Sequence, residues 1–201
     1  MSENRRSLYF SMLMILLAAF VVCIAAHGQP PQSPLPADPQ LKVSAALVLT
    51  PELCATKTKK GKWGINQENF PIGDAVCKQL WPALNKIFFS LALISDVSKA
   101  GDAQLVLTPV LGDVGVTQKA TAFQSRELVV QLEWTVKDKS GKTIWVETVQ
   151  GSAKHHMGNA FTYKKNLNLI VDDSVKDAVD QSVSKMAASA ELQKYAASLS
   201  R

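Results

Sequence analysis

From Leu128 to Val136 apolar side chains fall on every second residue, and a period of two fits only a strand. Leu128, Val130, Leu132, Trp134 and Val136 alternate with largely polar partners, the segment Asp138-Lys-Ser-Gly141 turns the chain, and Ile144, Val146 and Val149 return. Successive strand side chains point to opposite faces, so residues 127 to 151 are expected to form a β-hairpin with one buried face. Trp134 and Trp145 then read as core, with no ligand needed to explain them.

The same reasoning extends outward from the hairpin. Val43, Ala45, Leu47 and Leu49 alternate up to Pro51, which predicts a first strand. Pro71 suits the start of a helix in which Ile72, Val76, Leu80, Leu84, Ile87 and Leu91 recur at spacings of three and four. Pro82 removes a backbone donor inside that run, so a kink or break is expected between Leu80 and Ala83. Phe88, Phe89, Leu91, Leu93 and Ile94 are read as the helix's dense apolar end, packed under the sheet. A second strand follows, from Ala103 to Val116, interrupted by Pro109 and Gly112, with Pro109 marking a bulge or an edge. Lys154 to Lys165 is a polar connection. From Asp172, a capping residue, Val175, Val179, Val183, Met186 and Ala190 give a last helix. The order β-α-β-β-β-α predicts an α+β two-layer sandwich, a mixed four-stranded sheet with two long helices on one face.

Residues 1–28 read as an address. Arg5 and Arg6 precede an uncharged apolar run from Leu8 to Ala26, with a cleavage pattern at Ala26-x-Gly28, the layout of a bacterial-type secretory signal. The run is also about the ~20 residues that cross a bilayer, so an uncleaved signal anchor stays open, and either way the rest of the chain is exported. Lipidation at Cys23 is a third reading, opposed by Phe20, Val21 and Val22 where a lipoprotein signal wants Leu and a small residue. Residues 29–40 hold five prolines and form a stiff tether. Residues 41–201 are then a single domain, periplasmic or extracellular.

Export gives the two remaining cysteines a meaning. An even pair in an oxidising compartment predicts a Cys54–Cys77 disulfide; two unrelated buried thiols are the bland alternative. Between them, Lys57, Lys59, Lys60 and Lys62 cluster beside Trp63. Lys59, Lys60, Lys62 and Trp63 form a candidate membrane or partner contact, against the plainer reading of a solvated turn with Trp63 folded back.

Other chemistry is argued against. A net charge of +5, scattered along the chain, does not make a nucleic-acid surface. His155 and His156 are the candidate bases outside the signal, and no G-x-S-x-G accompanies them. They lie far from both cysteines, so no metal, cofactor or catalytic residue is assigned. Asp172 and Asp173 are read as favourable charges at a helix start.

The stretch Gly101-Asp-Ala-Gln-Leu-Val-Leu-Thr-Pro-Val110, with Leu128-Val-Val-Gln-Leu-Glu-Trp134 and Gly141-Lys-Thr-Ile-Trp-Val146, resembles small bacterial envelope lipoproteins. These are the YajG-type, lipopolysaccharide-assembly and transport-auxiliary lipoproteins. The resemblance implies a helix-on-sheet domain spanning about residues 41 to 190. The expected function is non-enzymatic: an envelope protein that binds or scaffolds a protein complex, a lipid or a glycan. The alternative is a secreted enzyme or inhibitor using the loop at His155 and His156.

Overall fold

A strand that is buried on both faces belongs inside its sheet, and the first strand is of this kind. β1 (Leu41–Val48) pairs in parallel with a strand on each side. The computed structural model describes residues 41–60, 68–118, 125–159 and 161–199. Contacts divide the chain into two units, Met1–Pro36 and Ala37–Arg201, and the described residues all lie in the second. The signal, the tether, and Lys62 and Trp63 lie outside the described residues.

After β1 come a short helix α1 (Pro51–Ala55), a small antiparallel ribbon of β2 (Thr58–Lys60) and β3 (Glu68–Phe70), and helix α2 (Ile72–Leu84). β4 (Phe88–Ile94) is followed by β5 (Leu105–Gln118), β6 (Ser125–Asp138) and β7 (Thr143–His156). Two helices end the chain, α3 (Tyr163–Ala188) and α4 (Ala190–Leu199). The five-stranded sheet runs β4-β1-β5-β6-β7, with β1 parallel to both neighbours and β5, β6 and β7 successively antiparallel.

The α+β sandwich is present, with five strands where four were expected. The difference is β4: Phe88–Ile94 is a strand, and the helix stops at Leu84. Pro82 does not break α2; the helix passes through it and ends two residues later, at Leu84. The apolar run then pairs with the outer side of β1, Ala45 opposite Leu91 and Leu47 opposite Leu93. β5 is an inner strand only as far as Leu107, so Pro109 stands at an edge position as expected. Pro109 lies two residues past Leu107, the last partner of β1, on a stretch where β6 is the neighbour, and the register slips between Leu111 and Val114.

The hairpin forms as expected, with Trp145 and Val149 buried, but Val146 faces away from them. Trp145 lies opposite Val136 and is buried, while Val146 lies opposite Thr135 and is 63% exposed. The last helix begins at Tyr163, nine residues before Asp172, because the polar stretch Tyr163–Asn168 continues the same helix beyond its apolar face. It also ends earlier than expected, at a turn on Ser189, with α4 as a separate helix.

One core holds these elements. Leu41, Val43, Ala45 and Leu47 of β1 and the even-numbered residues of β6 from Leu128 to Val136 meet Val76 and Leu80 of α2, Val175 and Val179 of α3, and Leu192 of α4. All three longer helices therefore bury into the same face of the sheet. α3 approaches most closely at Gly151, where an added Cβ would lie 2.1 Å from the Ala178 nitrogen and 2.3 Å from the Ser174 carbonyl oxygen.

Outside the sheet, Cys54 of α1 and Cys77 of α2 form the expected disulfide, with Cα atoms 5.6 Å apart. It fastens α1 to the first turns of α2. There the Gly73 N–H donates to the Thr56 carbonyl, and a Cβ on Gly73 would lie 2.0 Å from the Leu53 oxygen.

Candidate functional site

The two histidines do not share a site. They are adjacent on β7, so their side chains leave opposite faces of the sheet. His155 lies opposite Arg126 of β6, and its Nε2 is 2.7 Å from Asp173 Oδ2 on α3. The Arg126 guanidinium donates to the Tyr163 hydroxyl at 2.6 Å and lies 5.3 Å from the centre of that ring. His156 is exposed, opposite Ser125.

Asp173 therefore pairs with a strand histidine in mid-helix and does not cap a helix start. Asp172 contributes its carbonyl, which accepts from Gln79 Nε2 of α2 at 3.2 Å. These contacts tie the end of the sheet to α3 and tie α3 to α2. Among the described residues no three His, Cys, Asp or Glu side chains gather as a metal site would need. Lys59 and Lys60 belong to β2 by their backbone, and their side chains are not among those described.

The face of the sheet opposite the helices is more distinctive. Paired residues in a ladder share a face, so Thr108, Thr135 and Val146 form one row and Val110, Glu133 and Thr148 the next. Val110 is 52% exposed, and no described helix packs on this face. Over β1 the same face is closed, with Ala46, Val48 and Val106 all buried. Across β5, β6 and β7 it opens as a surface of valine and threonine edged by Glu133 and Lys137.

A cleft of about 300 Å³ borders this surface, between the turn at residues 97–101 and the tip of the β6–β7 hairpin, with Val106 and Thr108 in its lining. Both walls are braced by carboxylates. Asp96 accepts from the Ser98 N–H at 2.7 Å, opening the 3₁₀ turn Val97–Lys99. Asp138 accepts from the Ser140 hydroxyl at 2.6 Å and from the Ser140 and Lys142 N–H groups at 2.8 and 3.0 Å. Gly141 completes that turn at φ +87°. The Ser140 hydroxyl, with the backbone donors, holds the Asp138 carboxyl below its ordinary value, and Ser98 does the same for Asp96. Behind the hairpin tip, Tyr195 of α4 donates to the Gln104 carbonyl at 3.2 Å; burial and the nearby Asp138 charge raise its pKa.

Alternation in the sequence marks Thr135 and Glu133 as outward. The cleft carried no signal in advance, because its walls come from two turns brought together by the pairing of β5 with β6.

No protein-family model matches the chain, and no curated protein matches it. Solved structures do match. Protein XCC0632 of Xanthomonas campestris, of the DUF330 family, superposes with a TM-score of 0.52 at 8% identity, over 75% of this chain and 89% of that one. A minor lipoprotein of Acinetobacter baumannii gives 0.49 at 15% identity, over 74% and 93%. A candidate lipoprotein of Caulobacter crescentus CB15 gives 0.44 at 16% identity, over 58% and 80%. With XCC0632 the likeness is one of fold, a sheet with helices on one face.

Proposed function

We propose that this chain is an exported, non-enzymatic protein of the bacterial cell envelope that works by contact, binding or scaffolding an envelope complex through the open part of its sheet. The observation that carries the reading is the half-exposed valine and threonine surface on β5, β6 and β7, on the face that no described helix covers. Three strands fix the backbone of that surface, so it is presented in one shape, which lowers the entropic cost of binding. Support for the compartment comes from the basic and apolar start of the chain and from the Cys54–Cys77 disulfide.

The test is recovery of bound partners from envelope fractions by the full chain and by a Val110→Lys/Val146→Lys variant. Exposed positions of this kind tolerate substitution within about 0.5 kcal/mol, so the variant folds normally and loses its partners. A folded variant that keeps every partner overturns the reading.

The second reading, a secreted enzyme or inhibitor, rests on the 2.7 Å pairing of His155 with Asp173. It requires an activity that disappears in His155→Ala while Val110→Lys/Val146→Lys retains it.

A further inference from the structure

The sheet has two edges, and the chain treats them differently. At β7 the outer backbone groups are met by side chains of α3 at intervals of one helical turn. Asp177 accepts from the Ser152 N–H at 2.8 Å, Gln181 donates to the Gln150 carbonyl at 2.7 Å, and Lys185 reaches the Thr148 carbonyl at 3.5 Å and Glu147 at 2.6 Å. This edge is sealed and charged.

At β4 the sequence is Phe-Phe-Ser-Leu-Ala-Leu-Ile, with no charge and no proline. The Leu49 N–H donates to the Ile94 carbonyl, so by the alternation of a parallel ladder Leu91 and Leu93 turn their backbone groups outward. The Trp81 indole donates to the Leu91 carbonyl at 3.2 Å and meets one of them. Around it Phe89 is 72% exposed, Leu93 54% and Trp81 39%. An apolar, uncharged edge of this kind is a template for another strand, and natural sheets cover or charge such edges.

We propose that the β4 edge is where two copies of this chain join, antiparallel about a twofold axis. Two properties point to a second copy. An isologous contact sets one patch against its own copy, with residue i meeting j and j meeting i, which an edge without charges permits without repulsion in a chain of net charge +5. And β4 of one copy cannot add to β7 of another, because Asp177, Gln181 and Lys185 occupy the groups it would need. Head-to-tail growth is blocked, and a closed pair is the arrangement left. In the separate chain the Trp81 indole holds the carbonyl that a partner strand's N–H takes over.

The test uses the full chain, in cells and after purification in mild detergent. Cysteine introduced by Ser90→Cys or Ala92→Cys, singly or together, gives a disulfide-linked dimer under mild oxidation, and Ser152→Cys on the sealed edge gives none. Light scattering gives twice the chain mass, and Phe89→Lys/Leu93→Lys weakens association by about a hundredfold or more through like charges brought together. Circular dichroism shows that this variant keeps its fold. A wild-type monomer at tens of micromolar, equal cross-linking at Ser152→Cys, a dimer that survives Phe89→Lys/Leu93→Lys, or cross-links made exclusively to other proteins would each overturn the proposal.

Discussion

Trp134 is fully buried at the centre of the core, and its indole N–H needs an acceptor there. Ser182 of α3 supplies it at 2.9 Å, and its own hydroxyl donates to the Ala178 carbonyl at 2.7 Å. Ser182→Ala removes the acceptor and leaves a buried donor unmet, a loss of about 2 kcal/mol in urea unfolding. Pairing it with Trp134→Phe, which removes the donor too, costs less than the two single losses added. Asp138 makes a prediction in pH. Its folded pKa lies below its ordinary value near 3.8, so its contribution is complete above that value and is lost as pH falls through the depressed one. The protection of the Ser140 and Lys142 amides, measured against their intrinsic exchange, should therefore fall in that acid range, and in Asp138→Ala it should be low at every pH.

Among the elements, the contact of α3 with β7 is the most tightly fitted. Gly151→Ala forces the helix away from the strand, because the new methyl meets backbone atoms of Ala178 and Ser174 and no flexible side chain. About 3 kcal/mol is the expected loss, read as a lower midpoint of thermal unfolding. At the other end of the helix layer, reducing Cys54–Cys77 opens a loop of 23 residues' separation and should cost about 3 kcal/mol. Which elements were legible follows from their pattern. β1 and the hairpin show a period of two, and α2 a period near 3.6. Phe88–Ile94 shows neither, being a short apolar run that periodicity cannot assign to strand or helix. Its strand state is decided by β1, which needs a partner on its outer side. The start of α3 was hidden for the opposite reason: Lys164, Lys165, Asn166 and Asn168 give it no apolar period, although Tyr163 and Leu167 pack half-buried against the core.

For the whole molecule, the inward and outward residues of the hairpin could be read from alternation, but which outward residues stay exposed could not. Thr135 and Val146 are open and Ala46 is closed on the same face, a difference that alternation does not mark. Strand order is set by contacts distant in sequence, and the sequence pattern is silent on those.

That order also bears on how the chain acquires its shape. β1 is the first strand of the fold and lies second in the sheet, between partners that begin at Phe88 and Leu105. Whether it leaves a ribosome or threads through a membrane pore, Leu41–Val48 emerges with no ladder to join. It stays unpaired until more than forty further residues have followed. A late closure of this kind keeps the leading part of the polypeptide slack enough to pass a narrow channel, and the sheet locks once its trailing half has arrived.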